Sequence, residues 1–238
     1  ERSIVDGLSF QLTRAQRAAY SDISSDLSRS QPMRRLLQGD VGSGKTIVAA
    51  LAAAQAAAAG KLTALMSPTE VLARQQAEAF DKFLSPAGFR CVALTSRDKG
   101  ADRRAVLEDI RSGKVAAVSG TQSLYQSDVN LPDLGLIIID EEHDTSFKQE
   151  DGVTYHARDM GVMRAKLQDA AIILASATPA LETMVNAEAG RYQRLKLSAR
   201  PGAAKLPDIE LVDLRTDPPE KGHWLSSKLT HALKETFE

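Results

Sequence analysis

The chemistry in this chain begins with eight residues, Gly39-Asp40-Val41-Gly42-Ser43-Gly44-Lys45-Thr46, which fit the spacing G-x-x-x-x-G-K-[ST]. Glycines at the first, fourth and sixth places let the backbone curl until its N–H groups face an anion. Lys45 then brings a positive charge to β- and γ-phosphates, and Thr46 offers a hydroxyl to Mg²⁺. A helix starting here adds its positive dipole end. Gly39, Gly42, Ser43, Gly44, Lys45 and Thr46 are therefore the candidate nucleotide contacts. A second signal is the apolar run Leu136 to Ile139, which ends in Asp140-Glu141-Glu142-His143. Beside a phosphate loop, Asp140 is suited to hold the cation with Thr46, and Glu141 to orient and deprotonate the attacking water. Alone, the same residues also read as an acidic turn after a buried strand. A third signal, Ser176-Ala177-Thr178-Pro179, follows another apolar run; alone it reads first as a cap for the next helix, and only its order after the acidic segment points to more.

Such groups work only if something brings them together. Compact apolar runs recur at Leu36-Leu37, Leu62 to Met66, Cys91 to Thr95, Val115 to Val118, Leu136 to Ile139 and Ala171 to Ala175. Helical stretches lie between them at Lys45 to Ala59, Thr69 to Leu84, Asp102 to Arg111 and His156 to Gln168. Unalternated strands with intervening helices imply a parallel sheet covered on both faces, hence a doubly wound α/β domain with its ligand at the carboxyl ends of the strands. Ala49 to Ala59 is nearly all alanine and reads as a small-residue helix packed closely on the sheet, with Gly60 as its cap.

The chain's 238 residues, with 43% hydrophobic and 26% charged, suffice for one large domain with an extra segment, and argue against whole-chain disorder, collagen or coiled coil. The single cysteine, Cys91, excludes an internal disulfide framework and suits a reducing compartment. No run is long and apolar enough to span a bilayer, and Glu1-Arg2-Ser3 does not open a signal peptide, so a cytoplasmic protein is expected. A net charge of −1 says nothing about a nucleic-acid partner, whose surface would have to be local. After Ala189 the texture changes. Residues 191–205 hold five basic side chains and no acids, residues 206–221 five acids against two bases, and Pro218-Pro219 precedes a last helical pattern, Ser226 to Phe237. This tail reads as a linker or edge structure.

In their order, the phosphate loop, Asp-Glu-x-His and Ser-Ala-Thr resemble motifs I, II and III of superfamily 2 helicases, which belong to the first of two RecA-like domains. Leu12-Thr13-Arg14-Ala15-Gln16 resembles the segment that contacts adenine, which gives Gln16 that role. Leu36 to Thr46, Ser67-Pro68-Thr69-Glu70-Val71-Leu72-Ala73 and Thr121-Gln122-Ser123-Leu124-Tyr125-Gln126 are similar to the RecG family of fork-reversal helicases. From about Leu134 the likeness changes to the PriA family of replication-restart helicases. It is carried by Asp140-Glu141-Glu142-His143-Asp144, Phe147 to Gly152, Tyr155-His156-Ala157-Arg158-Asp159, Ser176 to Thr183 and Asn186 to Tyr192. RecG chains show Asp-Glu-Gln-His where this one has Asp140-Glu141-Glu142-His143. The chain thus resembles a mosaic with a crossover between Gly120 and Asp140.

The resemblance implies ATP and Mg²⁺ as cofactors and DNA, single-stranded or forked, as partner. It gives Lys45, Asp140, Glu141 and His143 catalytic roles, with His143 relaying between nucleotide and DNA, and Ser176, Ala177 and Thr178 a coupling role. Pro68, Thr69, Gly120 and Thr121 would track strand phosphates through hydroxyls and helix-start N–H groups. Residues 90–114 carry seven bases against four acids, a surplus that also fits an ordinary solvated helix face. Phe147, Tyr155, His156 and Arg158 resemble an aromatic-rich loop that meets exposed bases, a task suited to these side chains; Phe147 and Tyr155 equally suit anchoring the loop. The likeness divides the chain into an ATP-binding domain, 1–197, and the start of a second motor domain, 198–238. It leaves out motifs IV to VI with their arginine fingers, so hydrolysis should be slow and unwinding absent without the second RecA-like domain. Single-stranded-DNA-binding and other replication-restart proteins are further implied partners. The competing readings are an inert nucleotide- or DNA-binding module, and an RNA helicase or protein-translocase motor of the same superfamily.

Overall fold

A computed structural model describes residues 4–5, 7, 10–126, 128–149, 154–197, 209–219 and 221–237. The chain forms two compact units, Glu1–Gly202 and Ala203–Glu238. Among the described residues, no helix is long and apolar enough to cross a membrane.

The first unit is built on seven strands: β1 Arg34–Gly39, β2 Leu62–Met66, β3 Cys91–Leu94, β4 Ala117–Gly120, β5 Leu134–Asp140, β8 Ala171–Ser176 and β9 Gln193–Leu197. A two-strand hairpin, β6 Lys148–Gln149 and β7 Tyr155–His156, intervenes between β5 and β8. The large sheet runs in the order β3-β4-β2-β5-β8-β1-β9, and every pair in it is parallel. β2 and β8 are buried along their whole length, which is why their sequences do not alternate.

Helices α1 Arg14–Leu27, α2 Lys45–Ala58 and α3 Glu70–Leu84 cover one face, and α4 Gly100–Arg111, α5 Ala157–Leu167 and α6 Leu181–Glu188 supply packing residues for the other. α2 is the alanine run. Buried on almost every side, it needs small residues to lie between the sheet and its neighbours α1 and α3. Its cap is Ala59, and Gly60 follows with φ +72, the left-handed residue that ends such a helix. α1 starts with a capping box: the Thr13 hydroxyl accepts from Gln16 N–H, and the Gln16 amide oxygen accepts from Thr13 N–H.

The expected strand at 115–118 lies two residues later, at Ala117–Gly120. The basic stretch after Ala189 contributes the edge strand β9 before passing into 198–208, outside the described residues. In the second unit the last helical pattern forms α7, Ser227–Phe237.

The two stretches of differing resemblance meet in the sheet itself. β5 pairs with β2 on one side and β8 on the other, while β1 lies between β8 and β9. The seam closes with one irregularity, a register shift at Leu62/Thr63. Packing across it is tight: a Cβ on Gly161 of α5 would come within 2.6 Å of the Tyr125 hydroxyl and 2.8 Å of Ile139 Cδ1. Gly161→Ala should therefore overpack this contact and cost about 1–3 kcal/mol, read as a lowered urea midpoint with unchanged slope.

Candidate nucleotide site and strand-facing edge

Because the sheet is parallel, β1, β5 and β8 all end on one edge, with β8 between the other two. Gly39, Asp140 and Ser176 are the last residues of those strands. This edge is where a doubly wound sheet takes its ligand.

The loop after β1 is shaped by Gly42 and Gly44, at φ +79 and +85. Gly44 is the N-cap of α2, and no side chain caps that helix, so its first-turn N–H groups remain for an anion. A Cβ on Gly44 would lie 2.2 Å from Gln16 Nε2. The Lys45 ammonium turns back onto the loop, donating to Gly39 O at 2.8 Å and Asp40 O at 3.4 Å. Ser43 Oγ is buried with no hydrogen-bond partner. A buried orphan hydroxyl, a lysine resting on carbonyls and an uncapped helix start suit a polyphosphate. Thr46, half-buried in the first turn of α2, and Asp140, half-buried at the end of β5, are the oxygen donors available to a cation.

Gln16, the expected adenine contact, is engaged within the protein. It is buried; its Oε1 accepts from Thr13 N–H at 2.8 Å and its Nε2 donates to Ser43 O at 2.8 Å. Both ends of the amide thus hold the phosphate loop to α1.

Burial pushes the Asp140 carboxyl up from 3.8 to about 6, and neighbouring Glu141 adds to the rise. Lys45 and the amide of Gln76 oppose it, Gln76 Nε2 donating to Asp140 Oδ2 at 2.5 Å. Gln76, on α3, is a site residue the motifs did not point to. The folded chain holds this proton more tightly than the unfolded one. The ligand-free fold therefore bears no penalty below about pH 3.8, and loses stability as pH rises through about 6, by up to about 3 kcal/mol. Asp140→Asn should raise thermal stability at pH 8 by about 1–3 kcal/mol and leave it unchanged at pH 4; equal gains at both pH values would contradict this.

Glu141 takes φ +50, a left-handed turn that a side-chain-bearing residue seldom adopts. The turn sends successive carboxylates apart. Glu141 Oε2 lies 3.6 Å from His143 Nδ1, while Glu142 is fully buried. His143 Nδ1 is also 2.8 Å from Ser176 Oγ, which accepts from Thr178 N–H at 3.0 Å. The acidic segment and the Ser176-Ala177-Thr178 segment are thus directly linked.

A groove of about 420 Å³ opens on the same edge, lined by Pro68, Thr69, Thr121, Gln122, Phe147 and Tyr155 among others. Thr69 caps α3 through Leu72 N–H, and Thr121 Oγ1 accepts from Ser123 N–H. Gly120 is buried, and a Cβ there would meet Leu94 O at 2.5 Å, so it fixes the loop rather than facing outward. The Tyr155 hydroxyl donates to Gln122 Oε1 at 3.2 Å.

Two of the expected strand contacts are placed otherwise. Phe147, 2% exposed, is packed into the core beneath the hairpin, which is the anchoring alternative. Arg158, 7% exposed, is ion-paired with Glu142 at 3.3 Å and with Asp159 at 2.9 Å. His156 is half-buried, and burial with Arg158 nearby holds its imidazole below the ordinary value.

Residues 13–187 match the DEAD/DEAH box helicase family. The chain is 52% identical over 136 residues to the ATP-dependent DNA helicase RecG of Haemophilus influenzae, covering 57% of this chain and 20% of that protein. It is 37% identical over 205 residues to the replication restart protein PriA of Rickettsia felis, covering 85% of this chain and 31% of that protein. A solved structure of RecG bound to a three-way DNA junction superposes with a TM-score of 0.67 at 32% identity, covering 86% of this chain and 26% of that one. The chain therefore spans a fifth to a third of the relatives it matches, with RecG-like and PriA-like stretches joined in one RecA-like α/β fold. With its motif segments inside the matched residues 13–187, this chain belongs to the DEAD/DEAH box helicase family.

Proposed function

We propose that this chain is the ATP-binding motor domain of a DNA helicase or translocase that works at replication forks, within the DNA metabolism of a bacterial cell. The observation that carries the reading is the placement of the Gly39 to Thr46 loop and the Asp140-Glu141 pair on one sheet edge, either side of β8. Support for DNA as the partner comes from RecG and PriA, and from the RecG structure, which is bound to a three-way DNA junction.

In this mechanism the loop N–H groups and Lys45 bind the triphosphate, Lys45 leaving its carbonyl partners for β- and γ-oxygens. Thr46 and Asp140 would hold Mg²⁺, which when bound neutralises the charge developing on the phosphates. Glu141 positions the attacking water and takes its proton, and His143 with Ser176 carries any movement of the acidic segment to the Ser-Ala-Thr segment. The groove beside Thr69 and Thr121 would receive strand phosphates without reading sequence. An arginine from a second RecA-like domain would complete the neutralisation of charge in the transition state. Single-stranded-DNA-binding and other replication-restart proteins are further proposed partners.

Steady-state phosphate release with forked DNA, single-stranded DNA and RNA tests the reading. Stimulation by DNA above RNA is expected; stimulation by RNA alone would move the chain to an RNA motor, and binding of ATP with no turnover under any condition would make it an inert module.

A further inference from the structure

Glu142 stands between two residues assigned to chemistry, Glu141 and His143, yet it is 0% exposed. Both carboxylate oxygens are engaged. Oε1 accepts from Ala180 N–H at 2.8 Å, and Oε2 accepts from the Thr183 hydroxyl at 2.7 Å and from Arg158 Nη1 at 3.3 Å. Its own N–H donates to Ala175 O at 3.1 Å, extending the β5–β8 ladder past Asp140. Two separate segments, the start of α5 and the N-terminal turn of α6 with the residue before it, therefore converge on one buried side chain.

Stability does not explain this arrangement. Desolvating a carboxylate and a guanidinium offsets most of their attraction, and an apolar pair of similar volume is generally as stable. What the anchor does fix is the backbone beside it. Glu141 is held at φ +50, a state that persists only where the surroundings over-determine it. On one side β5 fixes it; on the other are the turn from Asp144 N–H to Glu141 O, at 2.8 Å, and the buried Glu142.

We propose that Glu142, clamped by Arg158, Thr183 and the Ala180 N–H, is a positioning residue that holds Glu141 in its left-handed turn with its carboxylate toward the nucleotide edge. The proposal rests on the reading of Glu141 as the group that orients the attacking water. It explains why an Arg–Glu pair is kept in the core next to the catalytic edge, and why the helix after Ser-Ala-Thr is tied to the acidic segment by a second route besides His143 and Ser176.

The test uses the double variant Glu142→Leu/Arg158→Met, with Glu142→Gln as the conservative control. The double variant should melt within about 5 °C of the parent, because the pair is replaced by apolar side chains. Its single-turnover phosphate release at saturating ATP should fall about tenfold or more, with ATP affinity changed by less than about threefold. Hydrogen exchange at the Asp144 amide should rise about tenfold, while the β5–β8 amides stay protected. Glu142→Gln, whose amide oxygen can still accept from Ala180 N–H while its NH2 donates to the Thr183 hydroxyl, should recover most of both. If the double variant does not fold, Thr183→Val removes one bond at Oε2 and should raise Asp144 exchange about two- to fivefold. Unchanged exchange at Asp144 in whichever variant folds, or parental phosphate release by the double variant, overturns the proposal. Lys45→Ala runs alongside. If it binds ATP as tightly as the parent, the nucleotide reading itself has failed, and Asp144 exchange still decides the positioning role.

Discussion

Replacing Lys45 by alanine weakens ATP binding by about 30- to 100-fold, the loss expected when a charge-assisted contact to phosphate is removed. The expected cost in stability without ligand is small. There the ammonium bonds only to carbonyls of its own loop, Gly39 O and Asp40 O, and does no work for the rest of the fold. Isothermal titration and a melting curve on the same samples check both halves. A variant that loses binding and also melts far below the parent would show that Lys45 is holding the loop together, and the phosphate reading would lose its support. Removing Lys45 also withdraws the charge that opposes the rise in the Asp140 carboxyl, so the variant's remaining Mg²⁺-dependent binding should fall off at higher pH than the parent's.

Glu141→Gln has the opposite signature. The amide keeps the size of the side chain and its place near His143, so ATP affinity should stay within about threefold. Phosphate release, measured in a single turnover, should fall by about 10²–10⁴-fold, the usual contribution of a positioned base. A loss of less than about tenfold would move the role elsewhere on the edge, and Asp140, whose carboxyl is already pushed up to about 6, would be the next residue to examine.

What the sequence reveals and conceals here follows physical lines. The phosphate loop is legible because its chemistry needs glycines at fixed places, and Gly42 and Gly44 have the positive φ that makes them necessary. The sheet is legible where strands are buried on both faces, as in β2, β5 and β8, since only continuous apolar runs can fill such positions. β9 is not, because an edge strand reading Gln-Arg-Leu-Lys-Leu buries only Leu195 and Leu197 and looks like a basic linker. α1 carries a readable signal, the Thr13–Gln16 capping box, which the adenine role given to Gln16 overshadows.

Residue type also fails where one side chain suits two tasks. Phe147 and Arg158 could stack on bases, but the same aromatic and guanidinium groups serve as a core anchor and a buried ion-pair partner, and no local pattern separates these uses. Glu142 is the clearest case. Three acidic or basic neighbours suggest a solvated cluster, yet the left-handed turn at Glu141 sends one carboxylate to the edge and the next into the interior.

The most direct measurement is paramagnetic broadening of backbone amide signals by Mn²⁺–ATP added to the isotope-labelled chain. If loop and acidic edge close on one triphosphate, signals of Gly42 to Thr46 and of Glu141 should vanish together at the same low Mn²⁺–ATP ratio, while Gly60 and Gly113, in turns after the C-termini of α2 and α4, stay sharp. Broadening confined to the loop with Glu141 untouched, or spread evenly over the chain, would mean that the two segments do not share a ligand.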